Sequence, residues 1–283
     1  MTTTAVSPKH IKSLHIDTKV AELVLTKFLE NEIRKAGFQK AVLGLSGGID
    51  SALSCYLVTK ALGPENVLAL RLPHKVSSAE SLAHADLIIE ALGIRSETVE
   101  ITGMVEALAD ASPDMNAHRK GNVMARARMT IIFDRSLREN ALVIGTSNKT
   151  ELMLGYGTIY GDLASAINPI GDLYKTQVRQ LSRALGVPDV IIDKAPSADL
   201  IPGQTDEDDF GFSYERVDRL LYLMLDERYS QDEAMAAGFE RPFVEQVLKM
   251  VQRSQYKRTM PIIPKISDRS ITHDFRYLRD WGT

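Results

Sequence analysis

Ser46-Gly47-Gly48-Ile49-Asp50-Ser51 combines the parts of an anion site within six residues. A glycine-rich turn leading into a helix exposes backbone N–H groups, and the helix dipole adds partial positive charge, so its natural guest is a phosphate. Gly47 and Gly48 let the backbone approach the oxygens closely, and the Ser46 and Ser51 hydroxyls offer further donors. Asp50 would repel a bare phosphate. It makes sense if a divalent cation stands between them, because Mg²⁺ takes one or two carboxylates together with phosphate oxygens. The plainer alternative is a tight turn in which Asp50 and Ser51 only cap a helix. The stretch is neither Gly-x-x-x-x-Gly-Lys-Ser/Thr nor Gly-x-Gly-x-x-Gly. So short a loop, without the lysine that grips a terminal phosphate, suits pyrophosphate or the α-phosphate region of a nucleotide better than γ-phosphoryl transfer.

The surrounding pattern predicts the elements that hold this turn. Ile16, Val20, Leu23, Val24, Phe28 and Ile33 recur at helical spacing, so residues 16–36 read as an amphipathic helix. Short apolar runs at 40–45, 66–73, 96–101 and 141–146 read as strands, and helical patterns occupy 51–62, 78–93 and 122–140. Strands alternating with helices of this length imply right-handed crossovers and a doubly wound parallel α/β sheet. Ligands bind such sheets beyond the carboxyl ends of the strands, where strand order reverses. Residues 46–51, Arg71 and residues 146–151 all follow predicted strands and therefore share that edge. From about 174 onward the chain reads as mostly helical, interrupted at 197–213 by a polar stretch with the character of a lid. Its acidic run, Asp206 to Asp209, reads as a solvated loop or helix start rather than a metal site. The expected organisation is one domain: an N-terminal helix (1–37), an α/β core (38–190), then a lid loop and helical C-terminal part (191–283).

Composition narrows the class. The chain has 283 residues, 44% hydrophobic and 25% charged, with a net charge of −3. That balance gives no footprint for a nucleic-acid backbone. No apolar run approaches a membrane span, and the first residues lack a secretory signal, so the expectation is a cytoplasmic protein without nucleic-acid or membrane partners. The one cysteine, Cys55, falls in an apolar segment and reads as a core residue rather than a nucleophile.

Ser-Gly-Gly-x-Asp-Ser after a buried strand resembles the pyrophosphate-binding signature of the N-type ATP pyrophosphatases, enzymes with an adenine nucleotide alpha hydrolase-like, Rossmann-like fold. Five further blocks are similar to NAD synthetase, in order and spacing: GNVMARARM (121–129), GTSNKTELMLGYGTIYGD (145–162), NPIGDLYKTQVRQLSRALGVP (168–188), KAPSADLIPGQTDEDDFGFSYERVD (194–218) and KRTMPIIPKI (257–266). The resemblance implies ATP-dependent amidation of deamido-NAD to NAD with ammonia, through an adenylated carboxylate and release of pyrophosphate and AMP.

By the same resemblance, Ser46, Gly47, Gly48 and Ser51 hold the pyrophosphate end of ATP, and Asp50 and Glu151 ligate Mg²⁺. Thr146, Lys175 and Ser197 contact phosphate or ribose, Lys175 stabilising the departing pyrophosphate, and Arg71 lies at the adenosine. Asn122 and Arg126, four apart on one helix face, bind deamido-NAD with Asp162 and Lys257. Asp162 orients ammonia or accepts its proton, so Asp50, Lys175 and Asp162 form the expected catalytic set. The block around Asn122 belongs in the family partly to a neighbouring subunit's binding surface, which implies a homodimer.

Two positions depart from the family pattern. Ala166 stands where a second aspartate is common, and Tyr256 replaces the histidine of His-Lys-Arg. About 45 residues precede Ser46, too few for a glutamine amidohydrolase domain, so the expectation is free ammonia, or ammonia received from a separate protein. Competing readings are another adenylating amidotransferase, a tRNA-thiolating enzyme, and a non-catalytic nucleotide sensor. Thiolation would predict more cysteines or a basic surface. A sensor would have little need for Asp50, Glu151, Lys175 and Asp162 together.

Overall fold

The computed structural model describes residues 14–196, 205–266 and 268. Its sheet has four strands in the order β3-β2-β1-β4, with β1 at Lys40–Gly44, β2 at Val67–Arg71, β3 at Arg95–Thr98 and β4 at Ala141–Val143. Every pairing is parallel. Parallel neighbours need long crossovers. These are α2 (Ile49–Leu62), α3 (Ala79–Leu92) and the pair α4 (Thr102–Asp110) and α5 (Ala117–Glu139), all preceded by α1 (Thr18–Lys35). The chain runs outward from β1 to β3, then crosses back to place β4 on the other side of β1. Strand order therefore reverses between β1 and β4, and the doubly wound α/β expectation holds.

Period-two alternation in β1 shows why both faces are covered. Ala41 and Leu43 join a cluster with Leu29 and Ile33 of α1 and Leu53 and Leu57 of α2, whereas Val42 joins Val105 of α4 and Met124 and Ile131 of α5. The remaining elements are α6 (Lys149–Leu154), α7 (Lys175–Leu185), α8 (Asp189–Ile192), α9 (Asp206–Phe210), α10 (Tyr214–Leu221) with a π-turn at Tyr222–Asp226, α11 (Gln231–Ala236) and α12 (Arg241–Arg253). Val178 and Leu181 of α7 pack under the sheet. A separate cluster of Tyr174, Phe210, Phe212, Tyr214, Val217 and Phe243 gathers the C-terminal helices.

Several details differ from expectation. On α1 the buried residues are Leu29 and Ile33, while Val20, Leu23, Val24 and Phe28 are exposed, because the helix carries two apolar strips and only one meets α2 and α7. Helix α4 was not anticipated. Helix α5 starts earlier than residue 122, since the Asn116 side chain accepts from Arg119 N and caps it there. Strand β4 stops at Val143, and beyond it the chain keeps a single parallel bridge, Ile144 to Ile167, through Gly145 N donating to Ile167 O. Residues 206–210 form a helix, one of the two readings of the acidic run, but Asp206 is buried rather than solvated. Among the described residues no helix is long and apolar enough to cross a membrane.

Cys55 is fully buried in α2, and burial pushes its thiol up to about 12. A thiol so protonated and enclosed is a poor nucleophile. The native protein should leave a thiol-reactive disulfide reagent unconsumed at mildly alkaline pH and titrate one thiol only after denaturation, which absorbance of the released thiolate would measure.

Candidate active site

The turn after β1 is closed by its own serines. Ser51 Oγ donates to Gly48 O at 3.0 Å and accepts from Ser46 N at 3.2 Å, and the two hydroxyls lie 3.1 Å apart. Gly48 N donates to Ser46 Oγ at 3.3 Å. The hydroxyls thus shape the loop as well as offering donors. Gly47 has φ +80°, and a Cβ there would sit 2.1 Å from Ser81 O, so conformation and close approach both demand glycine.

The turn starts α2 and puts Asp50 in its first turn. The loop after β4 starts α6, where Asn148 and Glu151 form a capping box. Asn148 also reaches across the strand-order reversal: its side-chain nitrogen donates to Asp50 Oδ1 at 2.9 Å, and its backbone N donates to Glu151 Oε2 at 3.3 Å. Between the other oxygens of the two carboxylates sits Lys175, the first residue of α7. Its Nζ is 2.5 Å from Asp50 Oδ2 and 3.2 Å from Glu151 Oε1, and its side chain is 2% exposed. The Tyr214 ring covers it at 5.0 Å from the centroid.

Electrostatics at this cluster are unbalanced toward the negative. Burial disfavours the Lys175 charge, but Asp50 and Glu151 outweigh it and hold the ammonium protonated. Burial, then repulsion from Asp50, push the Glu151 carboxyl above its ordinary range although Lys175 pulls the other way. Asp206, which accepts from the Tyr214 and Tyr156 hydroxyls at 2.9 and 3.0 Å, adds further negative charge, and burial raises its pKa too. One lysine does not compensate these carboxylates, and a divalent cation would.

Asp218 sits behind the cluster. Fully buried on α10, it accepts from Thr150 Oγ1 at 2.5 Å and from Thr176 N at 2.8 Å, while Thr150 Oγ1 accepts from Lys175 N at 3.0 Å. A single carboxylate thereby ties the starts of α6 and α7, which carry Glu151 and Lys175.

A second group lies on the loop that continues α6. Thr158 Oγ1 donates to Asn122 Oδ1 at 2.7 Å, Thr158 N donates to Asp162 Oδ1 at 2.9 Å, and Arg126 donates to Ile159 O at 3.3 Å. Asp162 keeps a solvent-open surface, yet the protein crowded around it raises its pKa against the pull of Thr158 and Lys257. Lys257 Nζ donates to Gly155 O and Gly157 O, each at 2.8 Å. It clamps the loop backbone here, whereas the sequence suggested a reach to substrate.

Thr146 lies half-buried in the loop after β4. Arg71 ends β2 and pairs with Asp86 on α3. Ser197 lies outside the described residues. Sequence reading missed Asn148, Thr150, Thr158, Asp206, Tyr214 and Asp218. Two of these carried a signal: Asn148-x-x-Glu151 has capping-box spacing, and Asp218 occupies the apolar stripe of Tyr214, Val217 and Leu221, where an acid must be paired.

Burial raises the Asp218 carboxyl to about 6 from its ordinary 3.8, against the pull of Thr150 and Thr176. The folded state therefore binds that proton more tightly, so the group's stabilising contribution is full below the ordinary value and is lost as pH rises through about 6. Asp218→Asn should show a smaller change in urea midpoint across that window than the parent. Asp218→Ala, which strands both donors, should lose about 3 kcal/mol of unfolding free energy in the same titrations.

A family model described as NAD synthase matches residues 22–261. The chain is 58% identical over 270 residues to the NH(3)-dependent NAD(+) synthetase of Chlorobaculum parvum, covering 95% of this chain and 98% of that one. Among solved structures it is similar to the NMN synthetase of Francisella tularensis, with TM-score 0.78, 34% identity and coverage of 89% and 100%. The NH3-dependent NAD synthetase of Campylobacter jejuni gives TM-score 0.76 and 34% identity, covering 88% of this chain and 100% of that chain.

Proposed function

This chain belongs to the NAD synthase family, and from that premise we propose that Asp50, Glu151 and Lys175 form its adenylation centre, with Mg²⁺ held by the two carboxylates. The reaction itself is the ATP-dependent amidation of deamido-NAD to NAD with ammonia, which makes the protein a carbon–nitrogen ligase. A carboxylate resists ammonia because its oxygen is a poor leaving group. Attack of the nicotinate carboxylate on the α-phosphorus of ATP forms an acyl-adenylate and breaks the bond to pyrophosphate. Ammonia then adds to the acyl carbon, gives up a proton, and AMP departs with the electron pair of the broken C–O bond.

The observation that carries this proposal is Lys175 buried between Asp50 and Glu151 where strand order reverses. In it, Ser46, Gly47, Gly48 and Ser51 bind the pyrophosphate end of ATP, and Lys175 neutralises charge on the leaving pyrophosphate. Thr146 and Ser197 contribute to the nucleotide site, and Arg71 turns from Asp86 toward the adenosine. The donor set suits Mg²⁺: two carboxylates, and no group of three or more metal-binding side chains among the described residues, leaving phosphate oxygens to complete the coordination. When bound, that ion stabilises the charge that develops on the departing pyrophosphate. Asn122, Arg126 and Lys257 shape the deamido-NAD site around the loop from Gly155 to Asp162. Asp162, with a raised pKa and an open face, accepts the ammonia proton.

The proposal includes a homodimer in the cytoplasm. A dimer is supported by the bare apolar strip of α1 and by exposed Met104, Leu108, Phe133 and Leu137 on α4 and α5. Placing a charge at Leu137, which is 87% exposed, should shift light-scattering mass toward the monomer without lowering the melting temperature of the monomer itself. The similarity to an NMN synthetase makes the corresponding mononucleotide the second acceptor to assay.

Purified protein with ATP, Mg²⁺, ammonium and deamido-NAD should yield NAD, AMP and pyrophosphate in equal amounts. Asp50→Ala should lower the rate roughly 100-fold or more. Preference for the mononucleotide would revise the acceptor, and AMP formation that is unaffected by the Asp50 change would overturn the assigned centre.

A further inference from the structure

Lys175 occupies the space that the proposed metal needs. Each carboxylate has one oxygen already committed to Asn148, Asp50 Oδ1 to its side chain and Glu151 Oε2 to its backbone N. The remaining oxygens, Asp50 Oδ2 and Glu151 Oε1, both face the Lys175 ammonium. An ammonium and a divalent cation cannot share that position: both would contact the same two oxygens and each other in a place nearly closed to water, and Asp206, whose oxygens are held by the Tyr214 and Tyr156 hydroxyls, does not stand between them. The lysine backbone has little freedom to withdraw, because Lys175 N is bound to Thr150 Oγ1 and the next amide to Asp218. Any relocation must therefore come from rotation of the side chain, and the ammonium needs a new anion at its destination.

Building on the assignment of the metal to Asp50 and Glu151, we propose that Lys175 is a resident counter-ion of the nucleotide-free enzyme, displaced only when a metal–nucleotide complex arrives. The triphosphate brings both replacements at once: its cation takes the carboxylates, and its phosphates take the ammonium. A bare divalent ion brings only the first, so it meets an occupied site. Metal and nucleotide therefore bind with strong mutual dependence, and the enzyme does not hold a metal between turnovers.

The test is Mn²⁺ binding to the full chain, followed by the paramagnetic signal of free Mn²⁺, with and without the non-cleavable α,β-methylene analogue of ATP. Wild type should bind Mn²⁺ weakly alone and tightly with the analogue. Lys175→Met leaves the carboxylates bare and should bind Mn²⁺ alone roughly 10-fold or more tighter than wild type. That gain should vanish when Glu151→Gln is added, and Lys175→Arg, which keeps the charge, should stay weak. If Lys175→Met folds only in the presence of Mn²⁺, melting curves report the same result. Equal or weaker Mn²⁺ binding by Lys175→Met, with wild type still taking Mn²⁺ alongside the analogue, overturns the counter-ion role and leaves the metal assignment standing. Tight binding of Mn²⁺ alone to wild type also overturns it, whether or not the methionine variant folds. No Mn²⁺ binding by wild type even with the analogue removes the metal assignment, and the proposal with it.

Discussion

An ammonium ion taken out of water loses hydration worth on the order of several kcal/mol, and Lys175 regains it chiefly from Asp50 and Glu151. That constraint organises the surrounding residues. The two carboxylates belong to different helices, so α2 and α6 must begin at the same end of the sheet and at a set separation. Asn148 bridges them, and Asp218 joins α6 to α7 from behind. Tyr214, its hydroxyl held by Asp206, lays its ring over the ammonium.

Sheet topology makes the meeting possible. With β1 and β4 adjacent and parallel, their outgoing loops leave the same edge of the sheet side by side, which lets Asn148 at the start of α6 reach Asp50 at the start of α2. The same edge carries the Ser46 to Ser51 turn, shaped by its own serines. A glycine turn at a helix start beside buried carboxylates suits a ligand that carries both an anion and a cation, as metal-bound ATP does.

The loop from Gly155 to Asp162, to which the second half of the proposed chemistry is assigned, is held from two directions. Asn122 and Arg126 of α5 grip Thr158 and Ile159, and Lys257 grips the carbonyls of Gly155 and Gly157. Only the six residues of α6, about 9 Å of helix, separate this loop from the capping Asn148. Glu151 and Asp162, to which the two halves of the proposed reaction are assigned, are therefore carried by one continuous segment of chain.

Features that depend on near neighbours in the chain can be read without the fold. Alternating strands and helices, the Gly47 turn and the Asn148-x-x-Glu151 cap are all set by residues a few positions apart, so they are legible from spacing. The strand ends, α4 and the buried strip of α1 were misjudged or missed because they depend on which neighbour covers which face. The tertiary structure alone decided that Lys175 is a buried ion rather than a solvated helix residue, and that Asp206 and Asp218 lie inside. It likewise turned Arg71 to Asp86 and Lys257 to backbone carbonyls. Each of these is a charge whose partner lies on another element, as far as 125 residues away for Lys175 and Asp50. The energy of a charge depends on what surrounds it in space, and only the assembled fold supplies those surroundings.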